Sequence, residues 1–410
     1  MANRDIGSVP LEFRMGEVIH DKDIDFEDET EESPLGVLAN FTGIFQGFGL
    51  NQTYRTGRRS LESSSNSELS SSASSISSAS SLSSTESDDI LELNLTRETL
   101  TFSRSLGSVP NRNFGDQGTI FLNGIPYTHL ISDVGNSISG LYNGEHTGIH
   151  FETGIWLNVP ATTSDSMNSV VRMAAMSHGV TINAHCLAPS VSINGPPTIP
   201  AVSITPFVTG SNPPELVPVA GQTATSRDAP RLPKDLSAFM ESGTITQEIL
   251  DDPNSVLRNA ISGQTITNTT VFTVSTDSPA PTLGTGTTDI ASRHDSAGSP
   301  LNAGTISMSA TFWIETVEYK LEVPPLKPSS VPINLMPPPK ATQPSPSFRL
   351  NLTREITTPT TITASCTQIQ YSQVLLVEVG GITWPHVSVS TLVPIEPQLI
   401  PASAVSAALG

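Results

Sequence analysis

From Thr305 to Leu321 apolar and polar side chains take turns almost without interruption, a period of two that suits a half-buried β-strand and not a helix. The same pattern recurs at Ile90 to Thr96, Leu100 to Ser103, Thr119 to Tyr127, Gly148 to Val159, Ser169 to Met176 and Val180 to Ala184. It returns at Gln264 to Ser275, Thr361 to Cys366, Ile369 to Val379 and Val387 to Leu392. Short polar connections separate these runs, with a turn expected at Asn123-Gly124, so neighbouring strands should be antiparallel. The expectation is a mainly β chain, an antiparallel up-and-down β-barrel with a few short helices.

Composition divides the chain around that barrel. Residues 1–34 carry the acidic run Asp21 to Glu32 and read as a solvated tail, and residues 35–395 read as one barrel domain with inserts. Serine dominates 60–88, which holds too little apolar surface to offset the entropy of ordering; a disordered loop is expected between strand-like Leu38 to Tyr54 and Ile90 to Phe102. Residues 188–262 form a proline-rich and short-helical excursion over the surface or the mouth of the barrel, with helices at Pro233 to Gly243, after Thr246 and from Asp252-Pro253 to Ile261. A proline-rich loop at 324–346 and a C-terminal tail at 396–410 complete the division.

With 39 acidic against 20 basic residues the formal net charge is −19. An acidic chain without a basic patch repels phosphate backbones and gains nothing from anionic membrane surfaces, so nucleic acid and membrane are excluded as partners. The amino terminus lacks the apolar core of a secretory signal and no stretch is apolar enough to span a bilayer, which makes the expected location cytoplasmic. The two cysteines, Cys186 and Cys366, then read as reduced core thiols. Phosphate-cradling loops, Gly-x-Ser-x-Gly elbows, His-Glu-x-x-His and paired-cysteine zinc spacings are all missing from the sequence, which argues against a standard hydrolase or nucleotide enzyme.

Two segments carry the remaining functional signal. In Gly43-Ile-Phe45-Gln-Gly47-Phe-Gly49 alternate glycines strip side chains from one face of a strand, which admits a flat ligand or another backbone, or bends the barrel. In His150-Phe-Glu152-Thr-Gly154-Ile-Trp156, alternation puts His150 and Glu152 on one face. The first segment resembles the opening strand of nitrobindin-like proteins, with Phe45 where that family usually has tryptophan. The second resembles its Glu-Thr-Gly strand, His178-Gly179 its His-x-Gly turn, and Trp384-Pro-His386 to Leu392 its closing strand, in the same order along a chain more than twice as long. The resemblance implies a ten-stranded barrel seating haem b at one open end, with His386 as the ligand to iron. Gly43, Phe45, Gly47, Gly49, Trp156 and His178 would line the cofactor, and peroxidase or peroxynitrite-isomerase chemistry would occur at the open axial position.

The residues leave other readings open. A metal-free lipocalin-like barrel would bind a small hydrophobic molecule and act as a carrier, cyclase or isomerase through cavity shape and a few polar groups. His146 with His150 and Glu152 has the ligand types of a non-haem metal site, although such positions are more often a polar rim. His178, His185 and Cys186 lack an evident fourth zinc ligand. Glu152, Glu315 and Glu318 are the acid–base candidates, and Glu315 and Glu318 must point to opposite faces of one strand. Loops that recruit partners around an ordinary packed core are the remaining alternative.

Overall fold

The computed structural model describes residues 34–55, 90–111, 119–135, 147–161, 168–177, 179–186, 189–227, 229–277, 286–289, 304–328, 331–338 and 344–409. The acidic run, the serine-rich insert, His146 and His178 lie outside the described residues. Ten long strands carry the fold: β1 (Gly43–Arg55), β2 (Ile90–Phe102), β3 (Ile120–Asp133), β4 (Thr147–Val159), β5 (Ser169–Met176), β6 (Val180–Cys186), β7 (Thr265–Ser275), β8 (Gly304–Val323), β9 (Thr360–Val379) and β10 (Ile382–Pro394). Each pairs antiparallel with the next, and β10 returns to β1 with Phe45 opposite Pro394 and Gln52 opposite Val387. The result is a closed ten-stranded up-and-down barrel, and closure leaves none of its long strands as an unpaired edge.

Inward-facing residues build an aromatic core at one end. Phe41 stacks on Phe102 with ring centroids 4.6 Å apart, and Trp156 meets Phe312 edge-on at 5.1 Å. Phe41 arrives there from a 3-10 turn, Gly36–Asn40, that also buries Leu38 and so plugs this end. The strand expected from Leu38 therefore begins five residues later, after Gly43 takes a positive φ of 77° that ordinary side chains avoid. Asn123-Gly124, expected as a turn, lies inside β3 opposite Asn158 and Leu157; a Cβ on Gly124 would come within 2.9 Å of the Ile155 and Leu157 side chains, which close over it.

The excursion from 189 to 262 clads the outside of the wall. Leu50, Leu91, Leu93, Trp313, Val387 and Val389 point outward and are buried by Ile199, Ile204, Leu236, Ile249 and Leu257. Its helices α1 (Ser237–Ser242), α2 (Gln247–Asp251) and α3 (Ser255–Ile261) fall within the expected stretches, α1 beginning four residues after Pro233 and α3 two after Pro253. Gly243 caps α1 with a φ of 71°, and the Thr246 hydroxyl accepts from the Ile249 N–H. Gln52 and Gln370 reach out from the wall and donate to the carbonyls of Ile249 and Leu257 at 2.9 and 3.0 Å, which fixes the helices to the flank. The Arg231 guanidinium, 1% exposed, donates to the carbonyls of Gly221, Thr223, Ala224, Ser226 and Lys234 and holds the irregular part of the layer together.

Strands β8 and β9 continue past the barrel as a two-stranded arm. Leu321, Val323, Ile362 and Cys366 pack there against Phe348, Leu350 and a final helix, α4 (Ala402–Leu409), through Val405. Residues 396–410, read from the sequence as a tail, thus carry a helix, and Gln398–Leu399 pairs parallel with Phe348–Arg349. Cys366 lies in this arm and Cys186 in the barrel core, and neither is in a disulfide.

The alternate glycines Gly47 and Gly49 of β1 let the backbone of β10 approach closely. A Cβ on Gly47 would sit 1.9 Å from the Thr391 carbonyl oxygen of β10, a backbone atom that cannot swing away. Gly47→Ala should therefore cost about 1–3 kcal/mol in chemical denaturation, whereas Gly148→Ala, with open space around it, should be neutral within about 0.5 kcal/mol.

Candidate functional site

Ten strands enclose more room than their core side chains fill, and a cavity of about 360 Å³ remains. It runs from Phe41, Trp156 and Phe312 at the plugged end to Arg55 and Glu92 at the other, where Arg55 is half exposed and its Nε meets the Glu92 carboxylate at 2.5 Å. Its middle is polar. Tyr127 and His129 of β3, His150 and Glu152 of β4, Arg172 of β5 and Tyr371 of β9 all project into it by strand alternation.

Arg172 and Glu152 form the centre. The guanidinium Nη2 donates to both carboxylate oxygens at 2.7 and 2.9 Å, Nε donates to the Tyr127 hydroxyl at 2.9 Å, and Nη1 donates to Gln373 Oε1 at 2.8 Å. The Tyr127 hydroxyl donates to Glu152 Oε1. Arg172 also lies over the rings of Trp156, Tyr127 and Phe312 at 5.6 to 6.0 Å from their centroids. Burial by itself would raise the Glu152 carboxyl, but the Arg172 charge, with His150 and His129, outweighs it and holds Glu152 well below the usual carboxylate range. Burial likewise opposes the charge on Arg172, and Glu152 more than restores it. Gly154 makes the arrangement possible, since a Cβ there would fall 2.8 Å from the Tyr127 ring that crosses to Glu152.

A second carboxylate sits beside the first group. Glu98 Oε2 faces His129 Nε2 at 3.0 Å and accepts from the Tyr371 hydroxyl at 2.7 Å, while Oε1 accepts from Thr96 Oγ1 at 2.8 Å. Gly49 clears its space, because a Cβ at that position would lie 2.8 Å from Glu98 Oε1. His150 Nε2 approaches Glu152 Oε2 at 3.4 Å, and the His129 and His150 rings are 6.2 Å apart and nearly perpendicular. Burial pushes both phenols, Tyr127 and Tyr371, well above their ordinary range, so they stay neutral donors.

Of the residues singled out from the sequence, His386, Trp156, His150 and Glu152 line the cavity, and the last two share a face as expected. Gly43, Phe45, Gly47 and Gly49 do not line it. Phe45 is packed into the floor against Phe102 at 6.0 Å, and the space beside Gly47 and Gly49 is taken by the carbonyls of Thr391 and Val389. His386 stands in the wall of the cavity. Burial lowers its imidazolium to about 4, against a hydrogen bond to the Tyr54 backbone that favours the charged form. His185 and Cys186 point to opposite faces of β6, and no group of three metal-ligand side chains occurs among the described residues. Glu318 is exposed. Glu315 is buried on the face opposite Ile314, outside the chamber, where burial pushes its carboxyl up to about 8 while Gln368 Nε2 donates to it at 2.5 Å.

Sequence reasoning passed over Tyr127, His129, Glu98, Arg172 and Tyr371. The available signal was Arg172 itself, a single charge inside Val-Val-Arg-Met-Ala-Ala-Met, which has to find a buried partner. No family model, curated protein or solved structure matches this chain. No helix among the described residues is long and apolar enough to cross a membrane.

Two measurements check these electrostatics. Glu152→Gln or Arg172→Met alone should destabilise by about 3–5 kcal/mol because each strands a buried charge, and the double variant Glu152→Leu/Arg172→Met should recover most of that loss. In pH-resolved denaturation, His386 has a folded pKa below its unfolded value of 6.5. Its contribution is full above that value and declines as pH falls toward 4, so His386→Gln should flatten this limb. Glu315 has the opposite sign: stability declines as pH rises from 4.5 toward 8, and Glu315→Gln should stabilise most at the alkaline end.

Proposed function

We propose that the barrel binds a small organic molecule in this chamber and moves protons on it, an isomerase or cyclase activity that needs no metal. The observation that carries the reading is the pair of carboxylate–imidazole contacts, Glu98 with His129 and Glu152 with His150, facing one another across one cavity. A carboxylate on one ring nitrogen orients an imidazole and stabilises its charged form, which suits the ring to take a proton and return it. His129 is the general base of this reading, oriented by Glu98, with Tyr371 holding the same carboxylate oxygen from its other side. The Arg172–Glu152 pair supplies a fixed dipole where charge develops on the substrate. Phe41, Trp156 and Phe312 provide an apolar floor that excludes water and fixes the ligand by shape.

A second reading places haem on His386, in keeping with the resemblance to nitrobindin-like proteins. It is supported by the position of His386 in the cavity wall and by an imidazole kept neutral, with one nitrogen held by the Tyr54 backbone. Haem held there by His386 would supply redox chemistry. A cavity of about 360 Å³, crossed by the Arg172–Glu152 pair, is small and polar for a macrocycle, and this favours the metal-free reading.

The test uses 5-nitrobenzisoxazole, a neutral molecule whose ring opens when a base removes one proton. The wild-type protein should accelerate its opening about 10²-fold or more over His129→Asn, the size of effect a positioned base provides. Equal rates in the two proteins would remove His129 from its role. Titration with hemin separates the readings: a stoichiometric Soret band that disappears in His386→Ala would move the haem barrel to the front.

A further inference from the structure

The charge lining the chamber determines what kind of molecule can enter it. Among the described residues, the carboxylates that face the cavity or stand one hydrogen bond behind its wall are Glu92, Glu98, Asp133 and Glu152. Asp133 belongs to this set through Asn94, which lines the cavity and donates to it at 3.3 Å. The cations are Arg55 and Arg172. Four carboxylates against two guanidiniums leave a sum of −2, the imidazoles of His129, His150 and His386 not counted. The fixed charge around the chamber is therefore in negative excess. Its single deep cation is also engaged through all three of its nitrogens, because Arg172 is tied to Glu152, Tyr127 and Gln373 and shielded by three aromatic rings. An incoming carboxylate or phosphate that took over the Nη2 hydrogen bonds would displace Glu152 from a bidentate pair inside a low-dielectric interior, at the cost of an unpaired buried carboxylate.

A cation meets the opposite conditions. Carboxylates stand from Glu92, paired with Arg55 at one end of the cavity, through Glu98, which faces His129, to Glu152, paired with Arg172 in the middle. Below them the aromatic floor of Phe41, Trp156 and Phe312 packs an apolar body. Resting on the ligand-binding reading above, we infer that the chamber selects an organic cation, an amine carried on an apolar or aromatic body of a size that fits about 360 Å³, and rejects organic anions.

The experiment uses the full chain and the neutral fluorophore 1-aminoanthracene as a reporter of cavity occupancy. Three probes of similar size and different charge then compete with it: 2-phenylethylamine, 2-phenylethanol and 3-phenylpropionate. The amine should displace the fluorophore at the lowest concentration, the alcohol should come second, and the carboxylate should be at least about tenfold weaker than the amine, equivalent to about 1.4 kcal/mol. Glu92→Gln, a change at the exposed end that leaves the Arg172–Glu152 pair intact, should narrow the ratio of amine to carboxylate. A carboxylate that competes as well as the amine, or a bound fluorophore that none of the three displaces, overturns the charge selection while leaving the chamber in place. A fluorophore that does not bind at all overturns the ligand-binding reading itself, and the two failures are thereby told apart.

Discussion

The bidentate pairing of Arg172 with Glu152 is the contact around which the barrel interior is organised, because a guanidinium and a carboxylate this deep can remain charged only together. Their strands are neighbours, and the pair in turn fixes Tyr127 on β3 and Gln373 on β9. Four strands of the wall are thus tied across the interior and not only through their backbones. Gly154 and Gly49 belong to the same arrangement, since each removes a side chain where Tyr127 or Glu98 needs room. The aromatic floor then serves two purposes. It packs the plugged end of the barrel, and it dries the space above it so that the polar groups act on one another with little screening.

The wall divides its work between its two faces in an unusual way. On β2 the apolar residues Leu91, Leu93 and Leu95 point outward, while Glu92, Asn94, Thr96 and Glu98 point inward. An ordinary half-buried strand does the reverse. The inversion is stable because the excursion from 189 to 262 covers the outer face with its own apolar residues, held by Arg231 and by the two glutamines that reach out from the wall. The outer layer thus supplies hydrophobic stabilisation where the interior, given over to a polar chamber, provides less. In this arrangement the proline-rich excursion is a structural partner of the site and not a lid over it.

Much of the fold was legible because period-two alternation is a local property. The limits of β5 coincide with the run read from the sequence, β4, β7 and β8 differ from theirs by one or two residues, and the runs Ile90 to Thr96 and Leu100 to Ser103 join in the single strand β2. The plug at Gly36–Asn40 was read as strand because Leu38 and Phe41 carry strand-like side chains, and only their insertion between Phe102 and Trp156 makes a turn the better use of them. The helix at Ala402–Leu409 was overlooked because its apolar face has meaning only against Leu350 and Ile362 of the extended arm.

By itself, the sequence determined the strand periodicity, the antiparallel order of the meander, and the shared face of His150 and Glu152. Each of these follows from residues close together along the chain, where backbone geometry dictates direction. Which face of each strand would be inside was decided only by the tertiary structure, because closing ten strands and cladding one flank of the barrel are properties of the whole. The same closure brought Glu98, His129, Arg172 and Tyr371, which lie as many as 273 positions apart in the case of Tyr371 and Glu98, to within hydrogen-bonding reach around one cavity. No local pattern could mark those residues as a site, since their chemistry depends on burial and on partners that alternation alone does not name.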